Sequence, residues 1–219
     1  MDISRRNLFI GAAALVAVGG VGYVVWRGGF GSEENFRVPL AELLQPGPFP
    51  DMAMGSETAP VTIVEYASLT CPHCKAFGET TFPELKKRYI DTGKVRYIFR
   101  EFVLNDVDML AIALARCVSN EAYFPFIQTL FEKQEQWATE SPVQPLLALT
   151  KQAGMSEQKF NECISNQQIV DNIVAQRDRA SDKFRVNSTP TFFINGERRS
   201  GSLSITELES AMKPYLTEK

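Results

Sequence analysis

The chain has 219 residues, 44% hydrophobic and 22% charged, ordinary globular values that exclude a disordered chain, a collagen and a multi-span membrane protein. The formal net charge is −3. The first 27 residues hold Arg5, Arg6 and Arg27 against Asp2, which leaves 20 basic and 25 acidic side chains beyond them, a balance that argues against nucleic acid as a partner.

Residues 1–27 are predicted to be an export signal or an N-terminal membrane anchor. Arg5 and Arg6 precede a nearly uncharged run, Leu8 to Trp26, long enough to span a bilayer. The string SRRNLF is similar to a twin-arginine signal, but Leu8-Phe9 reverses the usual order, so the general secretory route stays open. No clear Ala-x-Ala site follows, so an uncleaved inner-membrane anchor is an alternative to cleavage, and a buried core helix is a third. Export places the body in the periplasm, where disulfides persist.

The next elements predict a strand–helix–strand unit after a tether. Residues 28–60 are interpreted as a linker and N-terminal segment, with a short helix over 38–44. The apolar run VTIVEYA, 61–67, predicts a buried strand. Helical periodicity then runs from Cys71 to a stop at Gly93, and 94–102 alternates as a second strand. This order is a βαβ unit.

Residues 106–183 carry no strand signal and predict four or five helices. Strand chemistry returns around Asn195-Gly196, a dipeptide that predicts a type I′ hairpin. Ser204 with Glu207 three residues later predicts a capping box and the start of a last helix. The predicted domains are the leader 1–27, the N-terminal segment 28–60, an α/β core made of 61–103 and 184–219, and an inserted helical domain, 104–183.

The motif Cys71-Pro72-His73-Cys74 follows a predicted strand and opens a predicted helix. A helix N-terminus stabilises a thiolate, so the pKa of Cys71 is expected to be low. His73, the only histidine, adds a donor and a positive charge when protonated. A stabilised thiolate makes the disulfide form a strong oxidant. Zinc needs about four ligands and no second CxxC or histidine exists, so neither a metal nor a cofactor is predicted; a static disulfide is the other alternative.

The residues around this motif resemble the DsbA-like thiol:disulfide oxidoreductases. The resemblance covers about residues 57–216 and rests on APVTIVEYASLTCPHC, FPELKKRYIDTGKVRYIFREF and NSTPTFFINGERRSG. It implies a thioredoxin fold, an α/β fold interrupted by an all-helical domain. It also implies that Cys71 and Cys74 form a redox-active disulfide, in which Cys71 attacks or is attacked and Cys74 resolves the mixed disulfide.

The same resemblance implies roles for three residues outside the motif. Glu65, six residues before Cys71, matches the family's buried acid, a candidate proton relay; the alternative is a solvent-facing glutamate at a strand edge. Thr189-Pro190 matches the cis-proline loop, which offers backbone groups to an extended substrate. DsbA proper has an apolar residue where this chain has Thr189, and threonine there is more typical of disulfide isomerases.

Cys117 and Cys163 lie on apolar faces of predicted helices in the inserted block. They are either two small buried hydrophobic residues or a structural disulfide, since leftover cysteines in an exported chain usually pair. Some DsbA-like proteins resemble this chain in carrying a second disulfide in the helical block, which favours the bridge.

These features predict an exported, monomeric enzyme that introduces disulfides into unfolded or partly folded exported proteins with cysteine pairs. The resemblance implies a DsbB-like membrane protein as the reoxidant. An isomerase or reductase on the same fold is the alternative. Isomerases of this kind usually dimerise through an extra N-terminal segment, for which only residues 28–60 are available. A membrane-tethered chaperone that uses the cis-proline groove is a third, non-enzymatic hypothesis.

Overall fold

A computed structural model describes residues 36–216 of the chain. The predicted leader, with Arg5, Arg6 and the apolar run after them, lies outside these residues, as do the predictions about its export route and cleavage. Within residues 36–216, every helix is too short or too polar to cross a membrane.

A five-stranded mixed sheet lies at the centre of the described residues. Its strands are β1 (Met52–Met54), β2 (Val61–Ala67), β3 (Val95–Glu101), β4 (Thr191–Ile194) and β5 (Glu197–Ser200), in the spatial order β1-β3-β2-β4-β5. Only β2 and β3 pair in parallel, while the other pairs are antiparallel. All seven residues of the central strand β2 are buried. A strand covered on both faces favours the unbroken apolar run seen in the sequence.

The connection between β2 and β3 is helical, as predicted, but it is broken into three pieces. These are α2 (Pro72–Thr80), α3 (Phe82–Leu85) and a π-helical turn (Lys86–Ile90). Pro83 lies in the first turn of α3. Because proline has no backbone N–H and its ring clashes with the preceding turn, a single continuous α-helix is disfavoured there.

The stretch between β3 and β4 is helical, and the described structure has six helices there instead of the predicted four or five. The additional element is a single turn that follows Lys133 and is too short to show an apolar period of its own. The six helices are α4 (Asp106–Ala115), α5 (Asn120–Glu132), α6 (Gln134–Trp137), α7 (Val143–Gln152), α8 (Glu157–Ile164) and α9 (Gln167–Phe184).

The N-terminal segment is more ordered than the prediction of a linker over 28–60. The short helix α1 spans Leu40–Leu43, within the range expected for it. Residues 52–54 form β1, which pairs with β3 through Met52 opposite Phe99. The sequence analysis named no strand in this part of the segment. The sequence Met-Ala-Met lacks the β-branched and aromatic residues that mark strands, so pairing with β3 creates this one.

The two local predictions near the C-terminus are confirmed. Asn195 and Gly196 have φ values of 46° and 88°, the positive values that both central residues of a type I′ turn require. The Glu207 amide donates to Ser204 Oγ at 3.3 Å and the Ser204 amide donates to Glu207 Oε2 at 2.7 Å. This capping box forms the start of α10, Ile205–Leu216.

Hydrophobic cores cover both faces of the sheet. Ile63 belongs to the larger core, which includes residues of α2, α10 and the inserted helices. Val64 and Tyr66 belong to the smaller core, which contains Phe184 at the end of α9. Since side chains alternate along a strand, Glu65 lies on the same face as Ile63. The strand therefore directs this carboxyl into the larger core, on the side of α2.

Candidate active site

Cys71 and Cys74 lie at the start of α2, one helical turn apart. Cys71 is the N-cap residue with an extended backbone, and Pro72 occupies the first helical position, where a missing N–H costs nothing. Both cysteines are free thiols in this structure. Cys71 retains 7% exposure, whereas Cys74 has none. The fold therefore presents one sulfur at the surface and covers the other.

The environment of Cys71 favours its thiolate. A hydrogen bond from the Cys74 thiol is the largest cause that lowers the pKa of Cys71. Hydrogen bonds from the Thr189 side chain and from the backbone amides of Cys74 and His73 lower it further, and together these bonds outweigh the opposing effect of partial burial. They lower the pKa of Cys71 to about 5. Hydrogen bonds that stabilise the anion of an acid lower its pKa in this way. At neutral pH, Cys71 is an anionic nucleophile and a good leaving group.

His73 contributes differently from the expectation for it. Its side chain is exposed, and its contribution to the lowered pKa of Cys71 comes from its backbone amide. The sequence analysis assigned the low pKa of Cys71 to the helix N-terminus and predicted that the His73 imidazole adds a further donor and charge. Any residue other than proline supplies such an N–H at a helix start, so this contribution belongs to the predicted effect of the helix N-terminus, and the role of the imidazole stays a prediction.

Cys74 is held as a thiol. Burial is the largest cause that raises its pKa, followed by its hydrogen bond to Cys71 and by the charge of Glu65. The two cysteines of one motif therefore differ in protonation, because one accepts hydrogen bonds at the helix start and the other lies in the core. This asymmetry suits a pair in which one sulfur exchanges with a partner and the other is protected.

The loop around Thr189 and Pro190 lies directly against Cys71. The peptide bond between these two residues is cis. The Cys71 sulfur is 3.4 Å from the carbonyl oxygen of Thr189 and donates to it when Cys71 is protonated. Pro190 is buried and Thr189 is half-buried. The structure thus brings the predicted substrate-binding residues to Cys71, the more accessible of the two cysteines, with backbone groups beside the nucleophile.

Glu65 lies beneath the pair and is 1% exposed, so the alternative of a solvent-facing glutamate is wrong. The Tyr97 hydroxyl donates a hydrogen bond to Oε2 of Glu65. Burial raises the pKa of Glu65 to about 8, and the Tyr97 hydrogen bond opposes that rise without cancelling it. Glu65 and Cys74 line one cavity of about 140 Å³, together with Phe77 and Tyr97. At neutral pH this carboxyl is mostly protonated and adjoins Cys74.

The sequence analysis missed three side chains of this region. Tyr97 lies in the alternating stretch 94–102 that predicted a strand, and nothing in that pattern indicates that its hydroxyl donates to Glu65. Asp108 and Gln134 belong to the inserted helices and contact the loop that precedes Cys71. In the sequence Asp108 has only the pattern of an acidic residue in the first turn of a helix, which it shares with Asp106. Gln134 lies in a single-turn helix and had no sequence signal.

The remaining cysteines lie apart from this pair. Cys117 and Cys163 form a disulfide with their Cα atoms 6.3 Å apart, joining the residues after α4 to α8. For the part of the chain that the structure describes, no group of three or more histidine, cysteine, aspartate or glutamate residues is placed to hold a metal ion.

Comparisons with known proteins agree with this arrangement. Residues 49–214 match a family model described as Thioredoxin. A crystal structure of alpha-DsbA1 from Wolbachia pipientis superposes with a TM-score of 0.75 at 32% sequence identity, covering 82% of this chain and 96% of that one. A putative protein-disulfide oxidoreductase of Rickettsia felis is 33% identical over 171 residues, which are 77% of this chain and 61% of the relative.

A more distant relative is a probable disulfide bond formation protein D of Bacillus cereus, 29% identical over 66% of this chain and 69% of the relative. The chain spans about three fifths of the length of the rickettsial relatives. The family match and the Wolbachia structure cover the sheet, the inserted helices and the cysteine motif together.

Proposed function

This chain belongs to the DsbA-like branch of the thioredoxin family, and on that basis we propose that it is an exported thiol:disulfide oxidoreductase that introduces disulfide bonds into other proteins. The observation that carries the proposal is the contrast between the two thiols. The pKa of Cys71 is lowered to about 5, while burial raises that of Cys74. A pair whose reduced form is stabilised in this way is oxidising as a disulfide.

The proposed reaction begins with the Cys71–Cys74 disulfide and a substrate with two thiols. A substrate thiolate attacks the Cys71 sulfur, the bond to Cys74 breaks, and Cys74 leaves with the electron pair. The second substrate thiolate then attacks the substrate sulfur of the mixed disulfide, and Cys71 leaves as a thiolate. The substrate has lost two electrons and gained a disulfide, and the Cys71–Cys74 pair is reduced.

Glu65 supplies the proton in the first step. Cys74 leaves as a buried thiolate whose pKa is far above its ordinary value, because burial and nearby charge disfavour the anion. Glu65 is protonated near neutral pH and lines the same cavity. Transfer from the carboxyl to the sulfur therefore runs from the stronger acid to the stronger base. In the reverse direction, when the pair is reoxidised, the carboxylate takes the proton back.

The substrates in this proposal are unfolded or partly folded exported proteins with cysteine pairs. Backbone groups of Thr189 beside the nucleophile support the binding of an extended segment. A DsbB-like membrane protein then accepts the two electrons. Residues 28–60 include β1 and α1, which pack within the same chain, and this supports a monomer.

Disulfide isomerase activity is the second candidate, and Thr189 favours it, since threonine is typical of isomerases at this position. One experiment separates the two. The purified protein is mixed either with a reduced, unfolded protein or with the same protein carrying scrambled disulfides. An oxidase accelerates disulfide formation in the first mixture much more than rearrangement in the second; the opposite ranking contradicts the proposal.

Variants with Cys71→Ala and Cys74→Ala complete that experiment. Both are expected to lose oxidation of the reduced protein. A variant without either cysteine that still accelerates refolding would favour the chaperone hypothesis. Export is tested separately on the full chain: Arg5→Lys with Arg6→Lys should trap the protein in the cytoplasm if the route is twin-arginine, and should leave it exported if the route is the general secretory one.

A further inference from the structure

The loop between β2 and α2 is fastened to the inserted helices by two buried side chains. Asp108 Oδ1, on α4, accepts a hydrogen bond from the Leu69 amide at 2.9 Å. Gln134 Nε2, on α6, donates to the Leu69 carbonyl at 2.7 Å and to the Cys71 carbonyl at 3.2 Å. The backbone of Leu69 is therefore held at its N–H and at its C=O, two residues before the nucleophile.

Contacts at the start of α4 do not account for all the hydrogen bonds of Asp108. Its Oδ2 accepts from the Leu104 amide at 2.9 Å, within its own helix start. Its Oδ1 instead reaches a loop 39 residues away in sequence. Asp108 has 0% exposure, and a fully buried carboxylate is costly unless it is hydrogen-bonded. The long-range bond to Leu69 is thus a contact that capping alone does not require.

Gln134 acts at the cap of α2. The Cys71 carbonyl already accepts the first helical hydrogen bond, from the Lys75 amide at 3.1 Å. Gln134 adds a second donor to the same oxygen, and its side chain is buried at 6% exposure. Its two bonds hold the Leu69–Thr70 and Cys71–Pro72 peptide groups, and hence the direction in which the chain passes from the loop into α2.

We propose that Asp108 and Gln134 are positioning residues, through which the inserted helices fix the Ser68–Cys71 loop and hold the Cys71 sulfur at the amides of α2 and against Thr189. This inference rests on the proposed function of the cysteine pair. Within the loop itself, the Thr70 amide donates to Ser68 Oγ at 3.2 Å and the Cys71 amide donates to the Ser68 carbonyl at 3.3 Å. These internal bonds shape the loop, while the side chains of Asp108 and Gln134, here called the clamping residues, join it to the inserted helices.

The test uses one conservative variant of each clamping residue and a matched control beside it. Asp108→Asn keeps the shape but turns one oxygen into a donor, which faces a backbone amide. Asp106→Asn removes an exposed carboxylate from the same first turn of α4. Gln134→Met removes both donors at similar length, and Gln136→Met makes the same change at an exposed position of α6.

The readouts are titration of the thiolate by ultraviolet absorbance and equilibrium of the Cys71–Cys74 pair with glutathione. Each variant of a clamping residue is expected to raise the pKa of Cys71 and to make the Cys71–Cys74 disulfide less oxidising. The equilibrium constant with glutathione should change by roughly threefold to tenfold, which is the effect of losing about one hydrogen bond. The control variants should match the parent. The double clamp variant should show less than the sum of the two effects, since both act on one loop.

A purely structural role would lower the free energy of unfolding and leave the Cys71 titration where it is. The proposal is overturned if Gln134→Met and a folded Asp108→Asn protein both titrate and equilibrate like their controls. If Asp108→Asn does not fold, Gln134→Met decides alone. A parent protein whose Cys71 titrates near the ordinary thiol pKa of about 8.5 would overturn the proposed function instead, so the two failures are distinct.

Discussion

Replacing Glu65 by glutamine should stabilise the protein, and the gain should grow with pH. Glu65 titrates with a pKa raised from 4.5 to about 8, mainly because it is fully buried. Between these two values the folded state binds the proton more tightly than the unfolded chain. The free energy of unfolding of the parent therefore falls as pH rises through this window. Glutamine does not titrate, and its carbonyl can still accept the hydrogen bond from Tyr97.

The size of the effect follows from the raised pKa. Each pH unit between the two pKa values changes the free energy of unfolding by about 1.4 kcal/mol. From about pH 5 to about pH 8, the difference between the glutamine variant and the parent should grow by about 3 kcal/mol. Burial of a charge is the cause, so the difference should persist in high salt.

Denaturant unfolding of both reduced proteins at several pH values measures this difference. Glu140→Gln makes the same substitution at an exposed position and is the control. A Glu65→Gln difference that changes with pH no more than that of the control would refute the argument, because the carboxyl would then be ionised at the same pH in both states. The variant should also slow the reduction of the Cys71–Cys74 disulfide by substrate, since the proton donor for Cys74 is missing.

Three further outcomes are expected. With limiting alkylating reagent at about pH 6, Cys71 should be labelled before Cys74, because only its thiolate is populated there; peptide mass spectrometry identifies the site, and earlier labelling of Cys74 contradicts the assignment. Thr189→Val keeps the side-chain shape but removes the hydroxyl, whose hydrogen bond lowers the pKa of Cys71. A thiolate titration of this variant should therefore show a Cys71 pKa that is higher by roughly one unit, and an unchanged pKa would contradict this role of the hydroxyl. Replacing Cys117 and Cys163 by alanine opens a bridge with a sequence separation of 46 and should lower the free energy of unfolding by about 4 kcal/mol, which an unchanged denaturation midpoint would exclude.

Local patterns in the sequence were sufficient where a single segment determines its own structure. The run VTIVEYA forms β2 over Val61–Ala67 as expected, because its apolar residues suit a strand buried on both faces. The hairpin at Asn195-Gly196 likewise follows from two residues that tolerate positive φ. In these cases the tertiary structure and the local preference agree, so the prediction needs no knowledge of distant partners.

Long-range contacts set the limit of sequence prediction here. The strand at Met52–Met54 forms only because β3 offers it an edge. Asp108 has the pattern of a helix-start carboxylate, and nothing near it in sequence indicates its bond to Leu69. The roles of Glu65 and of Thr189-Pro190 were predicted through the family resemblance. Periodicity alone does not distinguish a buried glutamate beneath a thiol pair from a strand-edge one.

The two buried carboxyl groups near the cysteines differ in the number of donors around them, and this explains their different roles. Asp108 receives hydrogen bonds from the Ser68 side chain and from several backbone amides, which hold its pKa at about 6 despite burial. Glu65 has one side-chain donor, Tyr97, and its pKa rises to about 8. At neutral pH Asp108 is mostly an anion, as a residue that accepts bonds from a loop must be. Glu65 mostly keeps its proton under the same conditions, as a residue that protonates Cys74 must. Environments that separate two carboxyl pKa values in this way separate a fixed acceptor from a proton carrier.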